Sequence, residues 1–471
     1  MHHFDEPTTP ADDSLATGPW YSEMNRYHWF VLIVAALGWL FDCLDQQLFI
    51  LARQPAMAEL LATVGSDGET IAPTRETINE YAGYATSIFL IGWASGGLFF
   101  GVLGDRIGRA KTMIITILLY SLFTGLSALS QGFADFALYR FLTGLGVGGE
   151  FAVGVALVAE VMPARARTYA LSLLQALSAV GNISAALIGM VMGQLQQEGV
   201  LSAWGLESTW RPMFVIGAVP ALLALVIRRR LKEPERWQQV RHEGAAKRQL
   251  GSYSELLGNP LWRKHALLGL VLAFSGVVGL WGVGFFTMDL VGDVLTKRFT
   301  AEGLSSEQIT GKVATWKGIT SMMINVGAAA GMCGFGFVAQ RIGRRPSFAI
   351  SFVAAFLSTA MVFAFLDDFS EVFWMVPIMG FCQLSLFAGY AIYFPELFPT
   401  YLRSTGTSFC YNVGRFLAAI GPGLLGYLTQ HVYADAAEPL RNAGLTVCGV
   451  FLVGLLALPF LPETKDRPLP E

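Results

Sequence analysis

Gly101-Val102-Leu103-Gly104-Asp105-Arg106-Ile107-Gly108-Arg109 returns in altered form as Gly336-Phe337-Val338-Ala339-Gln340-Arg341-Ile342-Gly343-Arg344, ~235 residues later. A second string behaves the same way. Glu160-x-x-Pro163-x-x-x-Arg167 reappears as Glu396-x-x-Pro399-x-x-x-Arg403, ~236 residues on. Two motifs that share one period mark a duplicated half-molecule, and each copy is a charged loop between long apolar runs. Membrane proteins built from parallel repeats commonly bind a solute between their halves.

Composition agrees with that setting. Charged residues make up 14% of the 471 and hydrophobic ones 54%, against about 25% and 45–50% in soluble chains. A net charge of −3 gives no reason to expect a nucleic-acid partner, and Lys and Arg gather at the ends of apolar runs instead. The five cysteines (Cys43, Cys333, Cys382, Cys410, Cys448) are scattered within apolar segments, without a CxxC site or a disulfide framework. The six histidines are dispersed, so no metal site is expected. The polar, acidic N-terminal stretch lacks the basic start and small-residue cleavage site of a signal peptide, so the first apolar run reads as an uncleaved span.

A span needs about 20 mainly apolar residues. Twelve such runs are predicted, at 29–51, 81–103, 112–131, 135–161, 168–194, 210–229, 265–291, 315–338, 347–366, 372–394, 404–429 and 443–461. The expected fold is an all-α membrane bundle of twelve transmembrane helices, in two six-helix halves around a central cavity. The divisions are a tail at 1–28, halves at 29–229 and 265–461, a linker at 230–264 and a C-terminal tail at 462–471. Of the 32 Lys and Arg, about 22 fall on the side of the termini and about 8 on the other, which puts both termini and the linker in the cytoplasm. The linker mixes both charges and reads as short amphipathic helices on the inner membrane surface. The loop at 52–80 reads as a solvated connector. Gly92-x-x-x-Gly96 and Gly97-x-x-x-Gly101 predict close helix packing.

The first loop motif joins the second and third spans. Gly104 and Gly108 suit a tight turn, and Arg106, Arg109 and Lys111 sit at headgroup level. In this string and its degenerate copy the chain resembles the major facilitator superfamily, where such a loop recurs between those spans. Gly144, Gly146 and Gly149 match a dinucleotide pattern, but they lie inside an apolar span with no strand before them, so nucleotide binding is rejected. From Arg140 to Arg167 the chain resembles the sugar-porter and organic-acid symporter branches, and Leu461-Pro462-Glu463-Thr464-Lys465 resembles a sugar-porter ending. The resemblance implies that Gly104, Asp105, Arg106, Gly108, Arg109, Glu160, Arg167, Arg341, Arg344, Glu396 and Arg403 form a gate. Those charges would pair while the inner side is closed and separate when it opens.

Ionisable residues within spans are costly unless paired or wetted. Asp42 and Asp45 are three apart and share a helix face, and two neighbouring carboxylates in low dielectric hold a proton between them. Counted along the helices at ~1.5 Å per residue, Asp45 and Arg140 lie at matching depth, which allows a pair. The sugar-porter resemblance implies proton coupling through Asp45 and Arg140. Glu150 adds an acid that either relays protons or pairs structurally. Gly38-Trp39-Leu40-Phe41-Asp42 and Gly148-Gly149-Glu150 look more like organic-acid carriers of the niacin, sialate and metabolite types.

Arg415 stands mid-membrane, with Asp289 as its one acidic candidate partner in the second half's spans. Its planar fork suits a carboxylate, and internal pairing is the alternative. Gln46, Gln175, Asn182, Trp281, Asn325, Gln383, Tyr390 and Asn412 supply polar and flat surfaces that would suit a small polar or aromatic solute, although each could equally hold helices together. Enzyme motifs and a phosphate loop are absent, so no catalytic residue, metal or cofactor is expected.

The expectation is a monomeric plasma (inner) membrane protein that moves a small organic anion with protons by alternating access. A neutral-sugar symporter, a proton-driven exporter and a non-transporting solute sensor remain open.

Overall fold

The computed structural model describes residues 18–64, 70–203, 208–220, 230–244, 249–418, 424–425 and 427–471. The N-terminal half comprises α1 (Arg26–Leu60), α2 (Arg75–Ile107), α3 (Arg109–Ser127), α4 (Phe133–Val161), α5 (Ala164–Gln197), a short α6 (Val200–Ala203) and α7 (Trp210–Gly217). Two linker helices follow, α8 (Glu235–Gly244) and α9 (Tyr253–Gly258). The second half holds α10 (Pro260–Val278), α11 (Thr287–Ala301), α12 (Ser306–Ile342), α13 (Arg344–Phe365), α14 (Phe369–Leu397), α15 (Arg403–Ala418), α16 (Pro439–Cys448) and α17 (Val450–Ala457). Among the described residues, ten helices are long and apolar enough to cross a membrane. The expected sixth and eleventh spans run into residues outside the described set.

Large apolar side chains face outward while charges lie within, the reverse of a soluble protein. Phe99 is 59% and Leu456 70% exposed, whereas Asp42, Asp45 and Arg140 are fully buried. That arrangement fits a hydrocarbon surround.

Helix ends follow local chemistry. Asn25 Oδ1 accepts from His28 N at 2.9 Å and the Asn25 backbone N–H donates to His28 Nδ1 at 3.2 Å, starting α1. Gly108 has φ +117° and turns α2 into α3, and Gly343, at φ +99°, repeats the turn between α12 and α13.

Helix α1 extends well past the predicted boundary at 51, and a two-residue antiparallel pair (Thr63–Val64 with Thr70–Ile71) follows it. The 52–80 stretch is therefore partly helix, not a simple connector.

The two glycine patterns on α2 face different partners. A Cβ at Gly96 would lie 2.0 Å from the Leu145 carbonyl of α4, and one at Gly97 would strike Asn412 of α15 at 2.2 Å. The first packs α2 within its half, and the second packs it across the halves. The halves meet along α2 against α15 and α5 against α12.

Candidate functional site

Asp45 on α1 and Arg140 on α4 meet in the N-terminal half. Arg140 Nη1 stands 3.8 Å from Asp45 Oδ2, and neither side chain is exposed. Thr124 donates to Asp45 Oδ1 at 2.7 Å. Arg140 donates to the Ser127 and Thr143 hydroxyls at 2.7 and 3.1 Å, and its guanidinium carbon lies 4.5 Å from the Phe214 ring centre. At 3.8 Å the pair is ionic without a direct hydrogen bond.

Asp42 turns to other neighbours, Glu150 of α4 and Tyr120 of α3. None of the four carboxylate oxygens of Asp42 and Glu150 has a hydrogen-bond partner. Both groups are acceptors when ionised, so they bond to each other only through a proton on one of them. A Cβ at Gly38 would sit 2.3 Å from Glu150 Oε1, so the glycine makes room for this acid. Within the expected Asp42/Asp45 cluster, Asp45 faces Arg140 and Asp42 faces Glu150, with Asp45 still among the neighbours of Asp42. Residues three apart on a helix are offset by roughly 60°, enough to send one toward Arg140 and the other toward Glu150.

Arg415 lies between two aromatic rings, its guanidinium carbon 3.9 Å from the Trp93 centre and 4.3 Å from that of Tyr411. Its Nε and Nη1 are buried without a hydrogen-bond partner. Asp289, the expected acidic partner, instead binds Lys317 at 3.3 Å.

Arg415 and Trp281 line a cavity of about 470 Å³ together with Arg53, Thr86, Phe286 and Asp289. It lies between mid-membrane and the face opposite the termini, since its lining comes from the start of α2 and the far ends of α1 and α10.

Most of the other expected solute contacts lie elsewhere. Tyr390 donates to the Leu272 carbonyl at 2.8 Å, Gln383 to Thr359 at 2.6 Å, and Asn412 to Ser408 of its own helix. The first two bonds join neighbouring helices, and the third lies within one helix. Asn182 donates to Asn325 at 2.9 Å, joining the halves. Gln175 is buried and Gln46 half-buried, both outside the lining of this cavity. Arg53 and Thr86 escaped the sequence reading because Arg53-Gln54-Pro55 resembles the end of a span.

At the end carrying the termini, charges form a dry layer. Asp105 accepts from Ser404 N at 3.2 Å, Thr405 N at 2.8 Å and Thr405 Oγ1 at 2.6 Å, all at the N-terminus of α15 in the other half. Arg109 donates to Glu160 at 2.9 Å and to the Thr400 carbonyl at 2.7 Å, and Arg403 reaches the same Glu160 oxygen at 2.8 Å. Gly104 packs against Ser404, where a Cβ would meet Oγ at 2.8 Å.

In the second copy Arg344 binds Glu396 through two bonds of 2.9 and 3.1 Å and crosses to Thr168 Oγ1 at 2.8 Å. Three expected members stand apart from this bonding. Arg106 is exposed and donates to the Leu250 carbonyl. Arg341 is exposed, and its carbonyl accepts from Lys465. Arg167 is buried near Glu396, but its Nε is unpartnered.

Two acids missed as a pair complete the layer. Glu233 in the linker accepts from Ala110 N and Lys111 N at 3.2 and 3.1 Å. Glu463 accepts from Arg344 N and Arg345 N at 2.8 and 3.0 Å. Leu231-Lys232-Glu233 and Leu461-Pro462-Glu463 sit at nearly the motif period, which is the signal that could have found them. The linker also covers this layer, since Trp237 Nε1 of α8 donates to the Asp105 carbonyl at 2.8 Å.

Comparison with known proteins shows the family. The model of the Major Facilitator Superfamily matches residues 35–305 and 299–471. The cis,cis-muconate transport protein of Acinetobacter baylyi is 28% identical over 373 residues, covering 78% of this chain and 83% of that protein. The niacin transporter NiaP of the same species is 27% identical over 425 residues, covering 85% and 87%. Among solved structures, the proton:xylose symporter XylE has a TM-score of 0.70 at 18% identity, covering 94% of this chain and 98% of its own. The chain belongs to the Major Facilitator Superfamily, and it is a multi-pass membrane transporter with no enzymatic role.

Proposed function

We propose that this transporter carries a small organic carboxylate together with protons, by alternating exposure of the cavity at Arg415. The observation that carries this reading is the Arg415 guanidinium, which lines the cavity between Trp93 and Tyr411 with two nitrogens unpartnered. A carboxylate would supply the missing acceptors in bidentate form. The names of the muconate and niacin relatives support the same class, because both solutes are carboxylates.

Protons are held at Asp45, which faces Arg140, and at the Asp42–Glu150 pair. A proton on Asp45 frees Arg140 from its ionic partner. An anion on Arg415 also withdraws positive charge from the neighbourhood of Asp42, which favours the protonated pair. Loading of proton and solute thus assist each other through charge alone. The termini-side layer is the gate, closed in this structure, so the cavity faces outward when the termini are cytoplasmic. The unit is a monomer in the plasma (inner) membrane.

The test measures affinity of the purified wild type and Arg415→Lys for nicotinate, benzoate and their neutral amides. The acids should bind the wild type more tightly than the amides. Arg415→Lys should lose about tenfold to hundredfold for the acids only, because the fork geometry goes while the charge stays. Equal binding of acid and amide by the wild type, unchanged in the variant, would reject the carboxylate reading. In proteoliposomes, Asp45→Asn should abolish pH-driven accumulation yet retain counterflow. Accumulation at the wild-type level would remove Asp45 from coupling.

A further inference from the structure

We infer that the preferred solute is a dianion, such as a dicarboxylate, with one carboxylate on Arg415 and the second on Arg53. This step rests on the carboxylate reading of Arg415 and adds a second anchor.

Arg53 lies on the extension of α1 beyond the predicted span and lines the same cavity as Arg415. Its Nη1 donates to Thr86 Oγ1 at 2.7 Å. Thr86 in turn donates to the Ala82 carbonyl at 2.7 Å, so its hydroxyl hydrogen is committed and its oxygen receives the arginine. The guanidinium is thereby oriented by a neutral acceptor.

The charge balance of the cavity decides the class. Among the described residues its ionisable lining consists of Arg53, Arg415 and Asp289. Asp289 is bound to Lys317, which lies outside the lining, and that pair is neutral by itself. Two guanidinium groups therefore share one largely apolar chamber, without a carboxylate partner there among the described residues. A monoanion on Arg415 leaves the second cation unmatched as the chamber closes and dries, which is costly. A dianion matches both, and each fork can take two oxygens. Trp281 and Phe286 add flat surface to the same lining, suited to an unsaturated or aromatic spacer. The volume of about 470 Å³ is that of a small-molecule site.

The experiment compares matched acids on the purified full chain by calorimetry. The pairs are trans,trans-muconate against sorbate, in which a methyl group replaces one carboxylate, and terephthalate against benzoate. Adipate and succinate extend the series in length. At least one diacid should bind about tenfold to hundredfold more tightly than its matched monoacid. Arg53→Gln should erase that advantage by weakening the diacid at least tenfold more than its matched monoacid, and the monoacid binding that Arg415 retains shows that the variant folds. Arg53→Lys should restore part of it.

Diacids no better than monoacids, or a loss in Arg53→Gln that is equal for both, would overturn the dianion assignment and leave the Arg415 reading intact. Failure of every acid to bind would overturn both.

Discussion

The two copies of the loop motif end in the same layer, but the first reaches across to the other half more heavily than the second, whose crossing side-chain bond is Arg344 to Thr168. Asp105 in the first copy reaches across the molecule and accepts three bonds at the N-terminus of α15. Gln340 stands at the matching place in the second, and its carbonyl accepts from Arg344 at 3.4 Å within its own half. An amide lacks both the negative charge that a helix N-terminus favours and a second acceptor oxygen. The Glu motifs diverge in the same direction. Glu160 is shared by Arg109 and the opposite half's Arg403, whereas Glu396 is taken by Arg344 and Thr464 of its own half. Duplication supplied the parts twice, yet the clamp between halves is built mainly from the first set.

The largest expected difference lies between Glu160→Gln and Glu396→Gln. Removing the Glu160 charge leaves Arg403 without its carboxylate and Arg109 with Asp105 alone, at 3.0 Å, in a dry layer, and breaking a buried pair costs about 3–5 kcal/mol. Separation of the halves relieves that cost, so the open population should rise a hundredfold or more by that figure. Glu396→Gln should lower thermal stability without the same shift, because its main partners move with it. Spin labels at the exposed Lys111 and Ile342, read by double electron–electron resonance, report the distance between the halves at this end. Equal shifts in the two variants would make the copies equivalent and end the comparison.

Asp105→Asn comes next. The variant keeps the shape but turns an amide donor toward donors, at a cost of roughly 1.5–3 kcal/mol for a charged hydrogen bond. The same labels should show the open population rising about tenfold to hundredfold. Gln340→Ala should change little. Gln340→Asp sharpens the case, since it places a carboxylate near the first turn of α5 and should favour the closed form. An unchanged distance distribution in Asp105→Asn would leave Asp105 as a local cap only.

Much of this was readable before the structure, for a physical reason. Hydropathy and repeat spacing are one-dimensional, so the spans, the duplication and the charge layer follow from the chain alone. The depth at which a side chain sits also follows from counting along a helix, which is how Asp45 and Arg140 were expected together. Rotation of each helix about its axis does not follow. That angle brings Asp42 to Glu150 while Asp45 meets Arg140, and it gives Gln383, Tyr390 and Asn412 protein partners outside the cavity lining. Arg53 was hidden for another reason. Burial within the bundle lets α1 continue through Arg53-Gln54-Pro55, where hydropathy alone ends the span.

The smallest expected effect concerns the two acids that cap the loop turns. Glu463 accepts four backbone N–H groups, from Arg344, Arg345, Thr464 and Lys465, at 2.8 to 3.0 Å. Glu233 accepts two, from Ala110 and Lys111. Burial alone would raise the Glu463 carboxyl, but its N–H donors together hold it below its ordinary value of 4.5. A carboxyl depressed on folding adds stability that is fully present above its unfolded value and is lost as pH falls through its folded one. Glu463→Gln should therefore lower Tm at pH 7, by a cap's worth of about 0.5–2 kcal/mol, and the gap to wild type should close as the solution is acidified below that ordinary value. Glu233→Gln should cost less at pH 7, having fewer donors to strand. Thermal unfolding of both variants in detergent across this pH range measures the pair. A gap for Glu463→Gln that stays constant with pH would mean its worth is packing and not charge, and the second copy would then hold its tail by shape where the first holds α15 by electrostatics.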